Sequence, residues 1–293
     1  MLFNKDNRGS EELYKLTGTF KASTQFEVIE NDIADAIASL SPLLGGAITE
    51  AERLYQEGSP EEIVRLVQRA VATKALTYFA KNTGLSHGET GRKLKVDENE
   101  KLPFEWMIDR DDRDLTERHY RALDQVLRYL DKEQPEYWKN STAAKSREKL
   151  FLKDFEIFER VYPVNGSLYT FYKLIPLISE AEARLGALLG TDEFPEIEET
   201  YVYIVLSALA EALGRWSLSI FPLEISRQFS PSYQGNNEKQ LATLEEIERT
   251  KRNFKKSARF AYNVVATEVK KVNPAADRSL IPEVNKKDKF FSV

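Results

Sequence analysis

The chain has 293 residues, 42% of them hydrophobic and 30% charged, with net charge −5, so it can build one large core or two ordinary ones under a solvated surface. Without a single cysteine it has no disulfide framework, thiolate zinc site or cysteine nucleophile. Basic and acidic residues are mixed along its length, which argues against a dedicated nucleic-acid binder but leaves room for passing contact with DNA.

Residues 1–24 are polar with scattered apolar side chains (Leu2, Phe3, Leu13, Tyr14, Leu16, Phe20) and read as an extended arm. The polar start shows no signal peptide, and no apolar run approaches the ~20 residues of a membrane span. A first helix follows, with Ile29, Ile33, Ala36, Leu40 and Leu44 at the spacing of a buried stripe. Pro42 is expected to end or kink it, and Gly45-Gly46 to close it. Ser59, Pro60, Glu61 and Glu62 carry the signals of a helix start. The helix they open, 62–81, has Ile63, Leu66, Val67, Ala70, Val71, Tyr78 and Phe79 on its apolar face.

Residues 82–115 break the pattern. Within them, 93–96 and 103–108 are predicted to pair as a small hairpin around 97–99. A third helix is expected from about Thr116, with Tyr120, Leu123, Leu127 and Leu130 inward. A fourth is expected over 143–161, carrying Leu150, Phe151, Phe155 and Phe158. The turn 162–167 then separates two halves that resemble each other. Residues 33–45 and 178–190 share seven of thirteen positions without a gap, where two unrelated Ala- and Leu-rich helices would share roughly two or three. The 62–81 segment matches 200–219 through Val67/Val205, Ala70/Ala208 and Ala72/Ala210. The 116–132 segment matches 250–266 through Thr116/Thr250, Arg118/Arg252 and Tyr120/Phe254. Three matches in one order predict a duplication.

The expected fold is therefore mainly α. It comprises an N-terminal arm (1–24), helical repeat 1 (25–161), helical repeat 2 (162–272) and a C-terminal tail (273–293). Each repeat carries an irregular or small β-hairpin insertion, 83–114 and 221–242, and insertions on a repeated scaffold are where binding sits.

Catalytic signals are absent from this reading. His87 and His119 have no partner at metal-ligand spacing, and an ordinary surface or capping role is expected of both. The run Asp109-Arg110-Asp111-Asp112-Arg113-Asp114 lacks the Gly and Glu of an EF-hand and reads as a solvated lead into a helix N-terminus. No phosphate loop and no G-x-S-x-G elbow occurs. Neither catalytic residues, nor a cofactor, nor a metal site is predicted. The aromatic residues crowding the middle of the chain read as a core where the two copies meet. Leu2, Phe3, Trp106, Phe290 and Phe291 are the interaction candidates, since apolar residues in polar tails and insertions gain most by docking on something else.

Taken as a layout, the polar arm, the helix ending Leu43-Leu44-Gly45-Gly46, the Ala-rich helix and the insertion reaching Phe104-Glu105-Trp106 come first. Tyr137-Trp138, the turn Tyr162-Pro163-Val164-Asn165-Gly166-Ser167 and a second round follow. This layout resembles a family of about this length found in tailed phages and prophages of Bacteroidetes among head–tail structural genes. The resemblance implies a virion structural protein, a head–tail connector or adaptor forming a ring through which DNA passes, assembled in the host cytoplasm. It would contact copies of itself and portal or tail components, with transient DNA passage and no membrane. Connectors of this kind present acidic or neutral lumens, because tight phosphate binding would stall the DNA. The competing reading is a cytoplasmic adaptor or regulator that binds a protein through the paired insertions. A third is an enzyme using only carboxylates and tyrosines.

Overall fold

The structure, a computed structural model, describes residues 2–4, 8–59, 61–83, 85–88, 91–94, 105–216, 224–226, 239–241 and 243–272. The described chain is mainly α and divides into two compact units. One holds residues 1–148 and 167–172, the other 149–166 and 173–293.

In the first unit the expected arm is a folded element. Helix α1 (Arg8–Thr17) packs on α3 (Glu62–Thr83), and Leu2, Phe3, Leu13 and Phe20 are at most 4% exposed. Polar bonds fix the segment. Gln68 Nε2 donates to the Leu2 carbonyl at 2.6 Å, Ser10 Oγ to Thr24 O at 2.6 Å, and Tyr55 OH to Glu12 at 2.7 Å. A Cβ on Gly9 would lie 2.2 Å from Asn4 O and 2.6 Å from the Phe26 ring, so only glycine lets α1 approach this closely.

Helix α2 (Glu27–Gln56) runs unbroken through both Pro42 and Gly45-Gly46, against the expected stop. Pro42 lies on the exposed face, where the carbonyl it leaves without an N–H partner can take water. The predicted stripe Ile29, Ile33, Ala36, Leu40 and Leu44 is at most 5% exposed and seats α2 against α3. Gly46 has its own use, since a Cβ there would meet Tyr137 O of α5 (Glu136–Lys139) at 3.2 Å. The helix ends instead at Gly58, whose φ of 71° allows the Ser59 N–H to reach Leu54 O at 2.9 Å.

Helix α3 is buried on most sides, including Val67, Ala70, Val71, Ala72 and Ala75 at 0% exposure, because it packs against α1, α2 and α4 (Glu105–Glu133). Between α3 and α4, β1 (Leu85–Gly88) pairs antiparallel with β2 (Gly91–Leu94), Leu85 opposite Leu94. The hairpin expected over 93–96 and 103–108 is thus misplaced, and residues 105–108 open α4. This helix starts eleven residues before Thr116. The 109–114 run lies inside it, where alternating charges have concealed a solvated helix face. Leu123, Val126, Leu127 and Leu130 are fully buried.

The predicted helix over 143–161 is two helices, α6 (Thr142–Glu148) and α7 (Phe155–Val161). Ser141 Oγ accepts from Ala144 N, and Asp154 caps α7 by accepting from Glu156 N at 2.7 Å. In the intervening turn, the Phe151 and Leu152 N–H groups donate to the Glu182 carboxylate at 3.1 and 2.9 Å. That carboxylate gives buried backbone donors the partner a helix would have supplied.

Helix α8 (Leu168–Leu189) begins in the first unit and continues in the second. It ends at Gly190, whose φ is 69°. In the second unit, α9 (Glu198–Trp216) packs against α7 and against α10 (Leu244–Val272). A second short antiparallel pair, β3 (Glu224–Ser226) with β4 (Lys239–Leu241), lies between α9 and α10 in the chain. Thr243 and Glu246 form a reciprocal capping box: Thr243 N donates to the Glu246 carboxylate at 2.9 Å, and Glu246 N donates to Thr243 Oγ1 at 3.3 Å. This box places the start of α10 six residues ahead of the expected one.

Candidate functional site

The polar groups withdrawn from solvent come first, because chemistry would need them. Asp131, near the end of α4, accepts from Tyr172 OH at 2.6 Å, from Trp138 Nε1 at 3.1 Å, and from Arg147. Arg147 also donates to Tyr172 OH at 3.0 Å and lies over the Phe171 and Tyr172 rings. Burial opposes the guanidinium's charge, yet Asp131 and Tyr172 hold its pKa above the ordinary value. Burial, then the Asp131 charge, pushes the Tyr172 phenol well up, so it stays a donor. Every strong group in this small cleft, about 280 Å³, is already bonded to another. The cluster ties α4, α5, α6 and the start of α8 together within the first unit.

Asp124 plays a similar part. It accepts from Tyr169 N at 2.7 Å, placing a carboxylate at the N-terminus of α8. Burial raises its pKa.

His119 departs from its expected surface or capping role, being 3% exposed. Its Nδ1 is buried without a hydrogen-bond partner. Burial first, and the Lys74 charge second, push its pKa down to about 4. A neutral ring in that position fills space between α3 and α4. Among the described residues, no group of three or more His, Asp or Glu side chains could hold a metal ion. No described helix is long and apolar enough to cross a membrane.

The interaction candidates divide. Leu2 and Phe3, at 0% and 2% exposure, are core of the first unit and offer nothing to a partner. Their role is a correction to the sequence reading, and its cause is that two apolar residues too few to show a period were read as a tail. Trp106 lies in the first turn of α4, and its side chain is outside the described residues, as are Phe290 and Phe291. Next to Trp106, Met107 and Ile108 are 41% and 48% exposed.

A further face lies on α10, which sequence reading missed. Ile247, Phe254, Ala258, Ala261 and Val265 form the helix's inward stripe, with Ala258, Ala261 and Val265 at most 4% exposed. The opposite side carries Arg249, Arg252, Lys255, Lys256 and Arg259, all exposed. From 249 to 267 the sequence holds six cations and no carboxylate. Lys251 is paired with Glu248 at 3.2 Å. The other five form no ion pair among the described residues. Phe260 stands beside them at 72% exposure. A groove of about 570 Å³ follows one flank, lined by Val202, Lys256, Phe260 and the carboxylates Glu198 and Glu199. The other flank is a groove of about 400 Å³ lined by Leu188, Tyr203, Lys255, Arg259 and Tyr262. Counting charge over the whole chain hid this run, whereas counting it helix by helix reveals it.

Among the described residues, the fold and these surfaces define a helical protein whose buried polar side chains, His119 Nδ1 apart, are bonded within the fold and whose outward helix faces are exposed. Residues 17–148 match the model of a family of unknown function, DUF6712. The match is just under half of the chain, and it ends at the residue where the first unit's long segment ends. No curated protein and no solved structure matches.

Proposed function

We propose that the chain is a structural protein of a tailed-phage virion, a head–tail connector or adaptor that assembles into a ring from two diverged copies of one helical unit. The duplication is supported by burial at matched positions. Ile33/Ile178, Ala36/Ala181, Leu40/Leu185, Val67/Val205 and Ala70/Ala208 are all at most 5% exposed. Thr116 and Thr250 each bond the carbonyl four residues back, at 2.8 Å in both cases. The helices they lie in, α4 and α10, are each 29 residues long. One match does not carry through, since Gly190 ends α8 while Gly45 lies inside α2.

The observation that carries the assembly reading is a paired one. Each of the two long helices opens with large exposed apolar side chains, Met107 and Ile108 on α4 and Leu244, 73% exposed, on α10. Single exposed apolar residues are ordinary, but their recurrence at the same point of both units suits protein contacts. Sedimentation velocity over a concentration series tests the proposal. A ring or a concentration-dependent oligomer that Met107→Ser with Leu244→Ser weakens is the expected result. A monomer at every concentration would overturn the connector reading and favour a monomeric adaptor.

A further inference from the structure

We infer that the outward face of α10 is a binding face for the phosphate backbone of duplex DNA, without sequence preference. The inference stands apart from the ring: a monomer could bind DNA through α10, and a ring could form without it.

The placement of charge comes first. Arg249, Arg252, Lys256 and Arg259 follow one another at intervals of three and four residues, which puts them on one side of a helix. Their Cα positions span ten residues, about 15 Å at 1.5 Å per residue. A duplex carries a phosphate about every 3.4 Å along each strand, so this stripe can face several at once. Lys255 lies at its edge, beside the groove that also holds Arg259.

The second argument concerns what these cations cost where they are. Five like charges on one helix face repel one another, and cations four apart disfavour the helix by a few tenths of a kcal/mol per pair. The helix carries four carboxylates, all near its ends: Glu245, Glu246 and Glu248 at the start and Glu268 near the finish. Of the neighbouring acids on α9, Glu211 is bonded to Arg184 at 3.4 Å, while Glu198 and Glu199 line the far side of one groove. No bond among the described residues accounts for the run, whereas an external polyanion does.

The corresponding helix of the first unit shows the contrast. Arg118, Arg121, Arg128 and Lys132 lie on α4, but Glu117, Asp124, Asp131 and Glu133 are interleaved with them, and Asp124 and Asp131 are consumed in bonds described above. Helix α3 carries four cations after Glu62, namely Arg65, Arg69, Lys74 and Lys81, but Lys74 is half-buried over the Tyr78 ring; among the described long helices the exposed run of five belongs to α10.

Choosing DNA over an acidic protein surface rests on the mixture of side chains. The centres of protein interfaces are depleted in lysine and built round packed anchors. Here lysines and arginines form an open, regular stripe, with the single ring of Phe260 at its side. Nothing in the stripe is arranged to read base edges, so phosphate contact without sequence choice is the recognition it suits.

The test is fluorescence anisotropy of the full chain with labelled duplexes of about 24 base pairs and two unrelated sequences, titrated at several salt concentrations. The wild type should bind both alike, with log K falling linearly as log salt rises. Arg252→Glu/Lys256→Glu/Arg259→Glu should weaken binding at least tenfold. It should also shallow the salt slope by about 2–3, the change expected for three lost phosphate contacts. Lys15→Glu/Lys21→Glu/Lys145→Glu changes net charge equally at exposed positions elsewhere and should leave binding unchanged. Circular dichroism checks that both variants fold, and Arg252→Gln/Lys256→Gln/Arg259→Gln replaces the reversal if it does not. No DNA binding by the wild type at about 50 mM salt, where phosphate contacts are strongest, would overturn the inference. So would equal losses in the two triples. Loss of self-association with DNA binding intact would also overturn it, assigning the face to an acidic surface of a second copy.

Discussion

Protonation of His119 offers a sharp test of how the first unit is built. The ring is 3% exposed, its Nδ1 has no partner, and its pKa lies near 4, against about 6.5 for an unfolded chain. A base whose folded pKa is depressed contributes stability in full above the unfolded value. That contribution is lost as pH falls, because the unfolded state then binds the proton and the native state does not. Between pH 7 and pH 5 the loss amounts to about 2 kcal/mol, and it approaches about 3 kcal/mol near pH 4. Carboxylates elsewhere titrate in the same range, so the measurement is a difference. Urea unfolding of the wild type and His119→Leu, each at pH 7.5 and pH 5, isolates the ring. At pH 7.5 the two should lie within about 1 kcal/mol, since leucine removes an unsatisfied nitrogen that itself costs about 1–3 kcal/mol. At pH 5 the leucine variant should be the more stable by about 2 kcal/mol more than at pH 7.5. A constant difference between the two proteins across this range would refute the claim that His119 is held neutral in the core.

Three other outcomes follow from the packing. Asp131→Ala strips Arg147, Tyr172 and Trp138 of their shared acceptor at side chains only 17–19% exposed for the ion pair; it should cost about 3 kcal/mol in a denaturant titration. Arg147→Met, which leaves Asp131 its two neutral donors, should cost clearly less. Gly9→Ala forces a methyl into Asn4 O and the Phe26 ring and should destabilise by about 1–3 kcal/mol, visible as a lowered Tm. Phe3→Ala should cost about 3 kcal/mol while leaving the oligomeric state unchanged in sedimentation, because the side chain is core and not clasp.

The sequence made legible whatever the helical period controls. Ile29, Ile33, Ala36, Leu40 and Leu44 recur at the right spacing, and all are buried. Helix ends were less legible, for reasons that differ from place to place. Pro42 carries a local stop signal, but packing of α2 on α3 outweighs one lost bond on a face that water reaches. The start of α4 is a short apolar run, Trp106-Met107-Ile108, that reads as readily as a strand, and the charged residues 109–114 after it show no stripe. The start of α10 did have a signal in Thr243 and Glu246 at capping-box spacing, upstream of where the repeat alignment drew attention. The chain passes from the first unit to the second after Glu148, back after Gly166 and out again after Tyr172, so the 162–167 turn marks one of three crossings, and no local pattern encodes the return. The basic face on α10 was visible all along as a run without carboxylates, but an even whole-chain balance concealed it.

That return has a consequence for how the protein is made. Asp131 and Asp124 find their partners in Tyr172 and Tyr169, which the ribosome adds after the intervening residues 149–166 have been threaded out for the other unit. At about 5–20 residues per second, the wait from Glu148 to Tyr172 lasts on the order of seconds. The first unit is therefore completed only after residues 149–166 of the second have been made, by a segment that also starts the helix leading into the second.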